Sequence, residues 1–145
     1  MSLASEVLDL AKGRGVMVAT AESCTGGMVA AALTDVAGSS AVVERGFVTY
    51  TNRAKIELLG VRAETLDTHG AVSEEIAAEM ARGALAHAPV QLAGAITGIA
   101  GPGGAEVKPE RRGCFGIADG SRVDTGQSAF GALGRGEGVA HGRGP

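Results

Sequence analysis

The sequence predicts a single α/β domain in three layers, because short strands alternate with helices along most of its length. The chain has 145 residues, the size of one ordinary domain. Short runs of β-branched and small apolar residues alternate with segments in which apolar residues recur at helical spacing. This alternation is typical of a sheet that carries helices on both of its faces.

In the N-terminal half, helix and strand signals follow one another closely. Gly13 stands just after the first helical pattern, where glycine commonly ends a helix. The β-branched run that follows suits a strand buried on both faces. In order, the sequence predicts a helix over residues 5–12, a strand over 16–20, a small-residue turn over 21–27, a helix from about 25 to 35, and strand segments at 41–43 and 47–50.

In the C-terminal half, the clearest signals are helix starts. Asn52 is expected to cap a short helix. Ser73 is a stronger start, because its hydroxyl can accept first-turn amides and the two glutamates that follow suit the positive end of the helix dipole. The predicted elements are the short helix, a helix from Ser73 to about His87, a strand at 90–97 and a strand at 114–118.

Composition argues against nucleic-acid and membrane partners. The net charge is −3, and aromatic residues make up 3% of the chain. Nucleic-acid binding relies on clustered Lys and Arg and on aromatic rings for base stacking. No apolar run approaches the roughly 20 residues needed to cross a bilayer, and the N-terminus lacks the pattern of a secretory signal. We therefore expect a cytoplasmic protein that binds neither nucleic acid nor membrane.

Two small-residue loops, 20–27 and 97–104, follow predicted strands, at the ends where open α/β sheets bind ligands. Ser23 lies between a strand and a predicted helix start, where unpaired amides can stabilise an oxyanion or bind a phosphate. The simpler interpretation is that Ser23 or Thr25 caps the helix, and the spacing leaves both open. Cys24 is a competing nucleophile, because a helix N-terminus lowers the pKa of a thiol, or it is a small buried residue.

Tyr50 and Lys55 form a second candidate pair. Tyr50 ends a predicted strand, and Lys55 lies about one helical turn beyond it. A hydroxyl nucleophile without a histidine needs another base, and a desolvated lysine or a phenolate can serve. On its own the pair is typical of a sheet-edge tyrosine and an exposed lysine, and it indicates catalysis only together with Ser23. Glu22 and the other acidic residues are expected to be solvated or to pair with helix dipoles.

The loop at 97–104 and the two cysteines carry weaker signals. The loop sequence TGIAGPGG matches neither a Walker loop nor the dinucleotide-binding fingerprint, so its composition only suggests phosphate binding. Cys24 and Cys114 are too few for a disulfide scaffold and lack the spacing of a metal site. We therefore expect reduced thiols and no metal ion.

Four motifs occur in order: TAESCTGG at 20–27, YTNRAK at 50–55, HGAVSEEIAAEMARGA at 69–84 and TGIAGPGG at 97–104. Together they resemble the C-terminal domain of the competence/damage-inducible protein CinA, whose stand-alone members are nicotinamide-nucleotide amidases. The resemblance implies a three-layer α/β/α sandwich with a mixed, mostly parallel sheet. It also implies hydrolysis of the carboxamide of nicotinamide mononucleotide (NMN) to nicotinate mononucleotide and ammonia, in bacterial NAD recycling, with no metal or organic cofactor.

The resemblance also assigns roles to single residues. It puts the serine nucleophile of the family on Ser23, and its tyrosine and lysine on Tyr50 and Lys55. Ser23 would attack the amide carbon while Lys55, directly or through Tyr50, takes its proton, and water would then cleave the acyl-enzyme. The substrate-binding residues implied by the resemblance and by the glycine-rich loops are Thr25, Gly26, Gly27, Thr97, Gly98, Gly101, Gly103 and Arg135.

The resemblance weakens after Pro109. The sequence ERRG follows where an apolar strand should begin, and the last residues, 134–145, have no helical pattern. Glycine costs about 1 kcal/mol per residue in a helix, so we expect the last helix of the family to be absent. The change of register suggests a frameshift or a divergent tail. We therefore divide the chain into a CinA-like core, 1–109, and a divergent Gly- and Arg-rich tail, 110–145, with one strand at 114–118.

Three functions stay open at this point. The first is NMN amidase activity, and the second is nucleotide binding by a catalytically impaired member of the family. The third is hydrolysis of another small amide by a serine or cysteine nucleophile. Loss of the last helix would leave a sheet face uncovered, and this favours a homo-oligomer.

Overall fold

The structure is a computed structural model that describes residues 3–98 and 112–129. Within these ranges, helices pack on both faces of a five-stranded sheet. The elements in order are α1 (Leu3–Gly13), β1 (Val18–Glu22), α2 (Met28–Thr34), a 3₁₀ turn (Ser39–Ala41), β2 (Val43–Val48), α3 (Asn52–Leu59), α4 (Ala63–His69), α5 (Glu74–Ala86), β3 (Leu92–Gly98), β4 (Arg112–Ala118) and β5 (Val123–Ala129).

The sheet is mixed, and its strand order is β2-β1-β3-β4-β5. β1 pairs in parallel with β2 and β3, whereas β4 runs antiparallel to β3 and β5. The predicted α/β fold with a mixed sheet is therefore confirmed. Because β1, β2 and β3 are parallel, their carboxyl ends meet at one edge of the sheet. Glu22 pairs there with Val48 and Ile96, and we call this the carboxyl edge.

Each face of the sheet has its own apolar core, which gives the three layers. Alternate residues of a strand point to opposite faces, so Ala95 and Ile96 of β3 contribute to different cores. One core includes Leu59, Ile76, Met80, Ala84 and Ala95, and it lies under α3, α4 and α5. The other includes Leu8, Val18, Val29, Leu33 and Ile96, and it lies under α1 and α2.

Gly83 lets α3 and α5 pack very closely. A Cβ atom at Gly83 would lie 1.9 Å from the carbonyl oxygen of Leu59, far inside van der Waals contact. Leu59 is the last residue of α3, the helix that carries Lys55. The absent side chain at Gly83 therefore sets the position of α3 over the sheet.

The predicted helix starts are partly correct. Ser73 caps α5 as predicted, because its Oγ accepts the amide of Ile76. In α3, however, the cap is Thr51 and not Asn52: the Oγ1 of Thr51 accepts the amide of Ala54 at 3.0 Å. The sequence signal for a cap was therefore misplaced by one residue.

α2 begins later than predicted. The sequence favours a start near Thr25, but the helix begins at Met28. Gly26 and Gly27 have φ values of 58° and 109°, in the left-handed region that favours glycine. The segment after β1 is therefore a turn with its own conformation, and it holds Ser23 clear of the helix.

Two elements were missed. α4 lies between the predicted short helix and the predicted helix at Ser73, where no element was expected, and β5 has no predicted counterpart either. β4 covers the strand predicted at 114–118. Residues of the predicted tail thus supply two strands of the sheet. The predicted absence of a last helix concerns residues 130–145, outside the described residues. Across the described ranges, no helix has the length and apolar character needed to cross a membrane.

Candidate active site

Ser23 lies at the carboxyl edge, directly after β1. Its amide donates to the carbonyl of Ile96 in the neighbouring strand at 3.0 Å, which anchors its backbone to the sheet. The side chain is buried, and its Oγ points toward the segment that follows β2. The nucleophile predicted from the sequence therefore has a fixed backbone and is largely shielded from solvent.

Lys55 contacts Ser23 from α3, the helix that follows the neighbouring strand β2. The Thr51 cap starts α3 directly after β2, which places Lys55 one turn into the helix and above the strand end. Its Nζ donates to the Oγ of Ser23 at 3.0 Å, to the carbonyl of Thr49 at 3.1 Å and to the carbonyl of Tyr50 at 3.4 Å. The side chain is only 1% exposed. Ser23 and Lys55 thus form a buried serine–lysine pair.

Burial lowers the pKa of Lys55 below its ordinary value, and nearby Cys24 opposes this shift in part. The three oxygen atoms that accept from Nζ belong to a hydroxyl and two peptide carbonyls, so none of them is an anion. Desolvation disfavours the ammonium form of such a lysine. A neutral amine 3.0 Å from a serine hydroxyl can accept its proton.

Tyr50 takes part through its backbone and not through its phenol. Its carbonyl oxygen accepts from the Nζ of Lys55 and from the Oγ of Ser23, each at 3.4 Å. The side chain is 67% exposed. The interpretation in which the phenol relays a proton between Ser23 and Lys55 therefore does not match this geometry.

Of the two environments expected for Glu22, solvent or the positive end of a helix dipole, the structure shows the second. Glu22 is 1% exposed and therefore not solvated. Its Oε1 accepts from the Oγ1 of Thr25 at 2.6 Å and from the amides of Gly27 and Val29 at 3.1 and 3.0 Å. Its Oε2 accepts from the amide of Ala30 at 2.9 Å. The carboxylate therefore occupies the N-terminus of α2 and satisfies its unpaired donors.

This arrangement limits which amides can bind an oxyanion. Of the three predicted donors, Gly27 gives its amide to Glu22, and Gly26 gives its amide to the carbonyl of Ser23 at 3.1 Å. The Thr25 amide has no acceptor within the part of the chain that the structure describes. The hydroxyl of Thr25 is already engaged by Glu22. Among the described residues, the Thr25 amide is thus the one of the three for which no acceptor is found.

Cys24 and Ser23 face different surroundings. Cys24 is buried in the apolar core under α1 and α2, whereas the Oγ of Ser23 contacts Lys55. The serine is therefore the better-placed nucleophile of the two. Across residues 3–98 and 112–129, no group of three or more His, Cys, Asp or Glu side chains could hold a metal ion.

Of the remaining predicted binding residues, two lie within the described residues, at the end of β3. Thr97 is buried, and its Oγ1 donates to the carbonyl of Ala71 at 2.8 Å, which fastens the segment before α5 to the end of β3. Gly98 ends β3 at the carboxyl edge. The other predicted binding residues, Gly101, Gly103 and Arg135, lie outside the described residues.

Comparison with known proteins identifies one family throughout. The family model of the CinA C-terminal domain matches residues 1–138. A nicotinamide-nucleotide amidohydrolase, PncC, of Escherichia coli K12 is 59% identical over 110 residues, which are 75% of this chain and 67% of that protein. A CinA-like protein of Chloroherpeton thalassium is 53% identical over 124 residues, 85% of this chain. This chain spans only 30% of the length of that second relative.

Solved structures agree with the sequence comparison. The competence/damage-inducible protein CihA from Agrobacterium tumefaciens superimposes with a TM-score of 0.84 at 46% identity, covering 94% of this chain and 89% of that one. A CinA-superfamily protein from Escherichia coli has a TM-score of 0.84 at 33% identity, with 95% and 80% coverage. Similarity at this level extends over the whole sheet.

Proposed function

The chain belongs to the CinA C-terminal domain family, and from that membership we propose that it hydrolyses the carboxamide of nicotinamide mononucleotide. The products would be nicotinate mononucleotide and ammonia. The observation that carries this proposal is the buried contact of 3.0 Å between the Oγ of Ser23 and the Nζ of Lys55. The relative from Escherichia coli, whose name states nicotinamide-nucleotide amidohydrolase activity, supports the choice of substrate.

Acylation begins with attack of the Ser23 oxygen on the carboxamide carbon. As the new C–O bond forms, the serine proton passes to the neutral Nζ of Lys55, and the carbonyl π electrons move to the carboxamide oxygen. The carbonyls of Thr49 and Tyr50 hold Nζ in place during this transfer, since both accept from it. A well-placed general base contributes roughly 10²–10⁴-fold to the rate.

The oxyanion needs a hydrogen-bond donor that is not already engaged. The Thr25 amide meets this requirement and lies two residues after the nucleophile. A preorganised donor of this kind typically supplies about 2.7–4 kcal/mol of transition-state stabilisation. Gly26 and Gly27 contribute by shaping the turn, since their amides bond within the protein.

Deacylation reuses the same lysine. The tetrahedral intermediate collapses as the C–N bond breaks, and the ammonium of Lys55 gives its proton to the leaving nitrogen, which departs as ammonia. Lys55, neutral again, takes a proton from water as the water oxygen attacks the ester carbon. The second intermediate then releases the acid, and Ser23 recovers its proton from Lys55. Each proton that Lys55 takes up is therefore passed on, the first to the departing ammonia and the second to Ser23.

For the nucleotide part of the substrate, the candidate is the glycine-rich segment of the sequence that follows β3. We propose that backbone amides of this segment, with Gly101 and Gly103, hold the ribose phosphate and that Arg135 pairs with it. Thr97 contributes by fixing the strand end that precedes this segment, because its hydroxyl is bonded to Ala71. Small-residue loops let a backbone approach a phosphate closely.

The test measures ammonia released from NMN by the purified chain. Ser23→Ala is expected to lower turnover by at least about 10³-fold, whereas Cys24→Ala keeps it, because the two side chains face different surroundings. Loss of turnover in Cys24→Ala but not in Ser23→Ala would reverse the choice of nucleophile. Faster hydrolysis of nicotinamide or another simple amide than of NMN would favour a different hydrolase. Binding of NMN by a folded chain without ammonia release would favour the catalytically impaired alternative.

A further inference from the structure

We infer that Glu22 is a positioning residue for the nucleophile: its buried carboxylate holds the turn that carries Ser23 in the geometry that the Lys55 contact requires. This inference rests on the function proposed above and extends it to a residue that does not touch the substrate. Glu22 precedes Ser23 directly, and its side chain points to the opposite face of the sheet, toward α2. It therefore acts through the loop and not on the reacting atoms.

The side chain of Glu22 fixes the turn at four points. Its two oxygen atoms accept from one hydroxyl and three amides, spread over residues 25–30. The carboxylate thus holds two segments, the turn between β1 and α2 and the first turn of α2. Gly26 and Gly27 adopt left-handed conformations in the turn between β1 and α2, so the shape of that turn depends on these contacts together with its backbone hydrogen bonds.

The backbone of Glu22 connects the same turn to the base. Its carbonyl oxygen accepts from the amide of Thr49 at 2.8 Å. The carbonyl of Thr49 in turn accepts from the Nζ of Lys55, and that Nζ donates to the Oγ of Ser23. Because Ser23 is covalently joined to Glu22, these contacts close a ring. Displacement of Glu22 would change the distance between nucleophile and base.

The charge of Glu22 matters because all four of its partners are donors. In Glu22→Gln, an amide nitrogen that cannot accept a hydrogen bond replaces one of the two carboxylate oxygens. At least one of the four donors then faces another donor and loses its acceptor. An amide that loses its acceptor is unfavourable inside the protein, and the turn can restore the hydrogen bond by shifting. A shift of about 1 Å at a reacting atom can cost 10²-fold in rate.

Glu79 provides a matched control. It also is a carboxylate that binds the start of a seven-residue helix, accepting the amide of Arg62 at 2.8 Å and the Oγ1 of Thr65 at 2.6 Å at the beginning of α4. Glu79 belongs to α5 and not to the carboxyl edge. A purely structural helix-capping role would give Glu22→Gln and Glu79→Gln the same kinetic outcome.

The experiment measures kcat, KM for NMN and the unfolding temperature for the wild-type chain, for Glu22→Gln and for Glu79→Gln. Glu22→Gln is expected to lower kcat by 10- to 100-fold with KM within twofold of the wild type. Glu79→Gln is expected to lower the unfolding temperature while kcat stays within twofold. An unchanged kcat in folded Glu22→Gln, or an equal loss in both variants, overturns the inference.

A second readout separates this inference from the proposed substrate. A fluorophosphonate probe labels activated serines, so its rate of reaction at Ser23 reports the serine–lysine geometry without NMN. We expect labelling at least tenfold slower in Glu22→Gln and unchanged in Glu79→Gln. Equal rates, or no labelling of the wild type, overturn the positioning role. Normal labelling of a wild type that leaves NMN intact contradicts only the proposed function.

If Glu22→Gln fails to fold, Thr25→Val carries the same test. Valine keeps the shape of the threonine side chain and removes only the hydroxyl that donates to Glu22 at 2.6 Å. We expect a smaller loss of kcat, about three- to tenfold, with slower labelling of Ser23 to match. Full kcat and full labelling in this variant overturn the inference.

Discussion

The Nζ of Lys55 lies 3.0 Å from the Oγ of Ser23, although 32 residues separate them in the sequence. Two parallel neighbouring strands explain the contact: Ser23 follows β1, Lys55 lies in the helix that follows β2, and both strands end at the carboxyl edge. The acceptors around Nζ are neutral oxygen atoms. A lysine held in this way is suited to act as a base, because it is buried and none of its hydrogen-bond acceptors carries a negative charge.

Replacement of Lys55 by methionine tests the base directly. Methionine has a similar length but cannot accept a proton, so Lys55→Met is expected to lower kcat for NMN by roughly 10²–10⁴-fold. Lys12→Met serves as the control, because Lys12 is an exposed lysine at the end of α1. Kinetics of ammonia release measure both variants. Full turnover in a folded Lys55→Met chain would exclude the lysine as the base.

The lowered pKa of Lys55 predicts a pH dependence of activity. Only the neutral amine accepts the serine proton, so kcat/KM should rise as the pH increases through the folded-state pKa. Burial puts that pKa below the ordinary value of 10.5, and the rise therefore begins to level off below pH 10.5. A profile of kcat/KM against pH measures this rise. An activity that still increases tenfold per pH unit up to pH 10.5 contradicts the assignment.

The lowered pKa of Lys55 also affects the stability of the fold. Between the folded-state pKa of Lys55 and its ordinary value of 10.5, the unfolded chain binds more protons than the folded one. The free energy of unfolding contributed by this group therefore rises with pH across that window. Below the window the cost of burying the ammonium is present in full. Urea unfolding at several pH values, with Lys55→Met as the reference, isolates this contribution.

Tyr50→Phe separates the two roles considered for this tyrosine. The structure engages its carbonyl, which phenylalanine retains, and leaves the side chain 67% exposed. We therefore expect kcat to change by less than about threefold, in contrast to the large loss caused by removing a general base. A loss of 10²-fold or more at unchanged stability would show that the phenol moves into the proton path when substrate binds.

The sequence was sufficient to single out Ser23 and Lys55, which the structure brings together, because both stand next to strand ends with recognisable turn and helix signals. It was not sufficient for the groups that hold them. The carbonyls of Thr49 and Tyr50 are backbone atoms, which every residue has and no motif marks. Glu22 continues a strand buried on both faces, and only the observed length of β1 shows that its carboxylate reaches α2.

β5 was missed for a different reason. Its sequence, VDTGQSA, lacks alternating apolar residues, and among the described residues it forms an edge of the sheet, next to β4. Long-range contacts hold it in place: Thr125 and Gln127 both donate to the carboxylate of Glu74 at the start of α5. Those contacts join residues about fifty positions apart, and local pattern analysis cannot detect them.

A buried hydroxyl in β1 predicts a stabilising substitution. Thr20 is buried, and its Oγ1 lacks a hydrogen-bond partner within the described ranges. Valine has the same shape without the polar atom, so Thr20→Val should raise the free energy of unfolding by about 1 kcal/mol. Thr97→Val is the matched control. It should lower the free energy of unfolding, because it removes a hydroxyl that donates to the carbonyl of Ala71 at 2.8 Å. Urea unfolding midpoints compare the two, and destabilisation by Thr20→Val would contradict the prediction.

The contact between α3 and α5 links stability to catalysis. In Gly83→Ala, the new methyl group would lie 1.9 Å from the carbonyl oxygen of Leu59, so one helix must move. Overpacking of this kind typically costs about 1–3 kcal/mol. Because α3 carries Lys55, the movement also lengthens the contact between Nζ and the Oγ of Ser23. We therefore expect lower kcat for NMN together with lower stability, measured by ammonia release and urea unfolding.

Gly116→Ala and Gly94→Ala distinguish this coupling from general destabilisation. At Gly116 a Cβ atom would lie 2.8 Å from the carbonyl oxygen of Ala77, near the start of α5, and its nearest atoms include none from α3. Gly116→Ala should therefore lose stability while kcat of the folded fraction stays unchanged. At Gly94 a Cβ atom meets nothing within 4 Å, so Gly94→Ala should leave both quantities near the wild type. If Gly83→Ala and Gly116→Ala reduce kcat equally, the position of α3 does not control the serine–lysine distance, because only Gly83 contacts that helix.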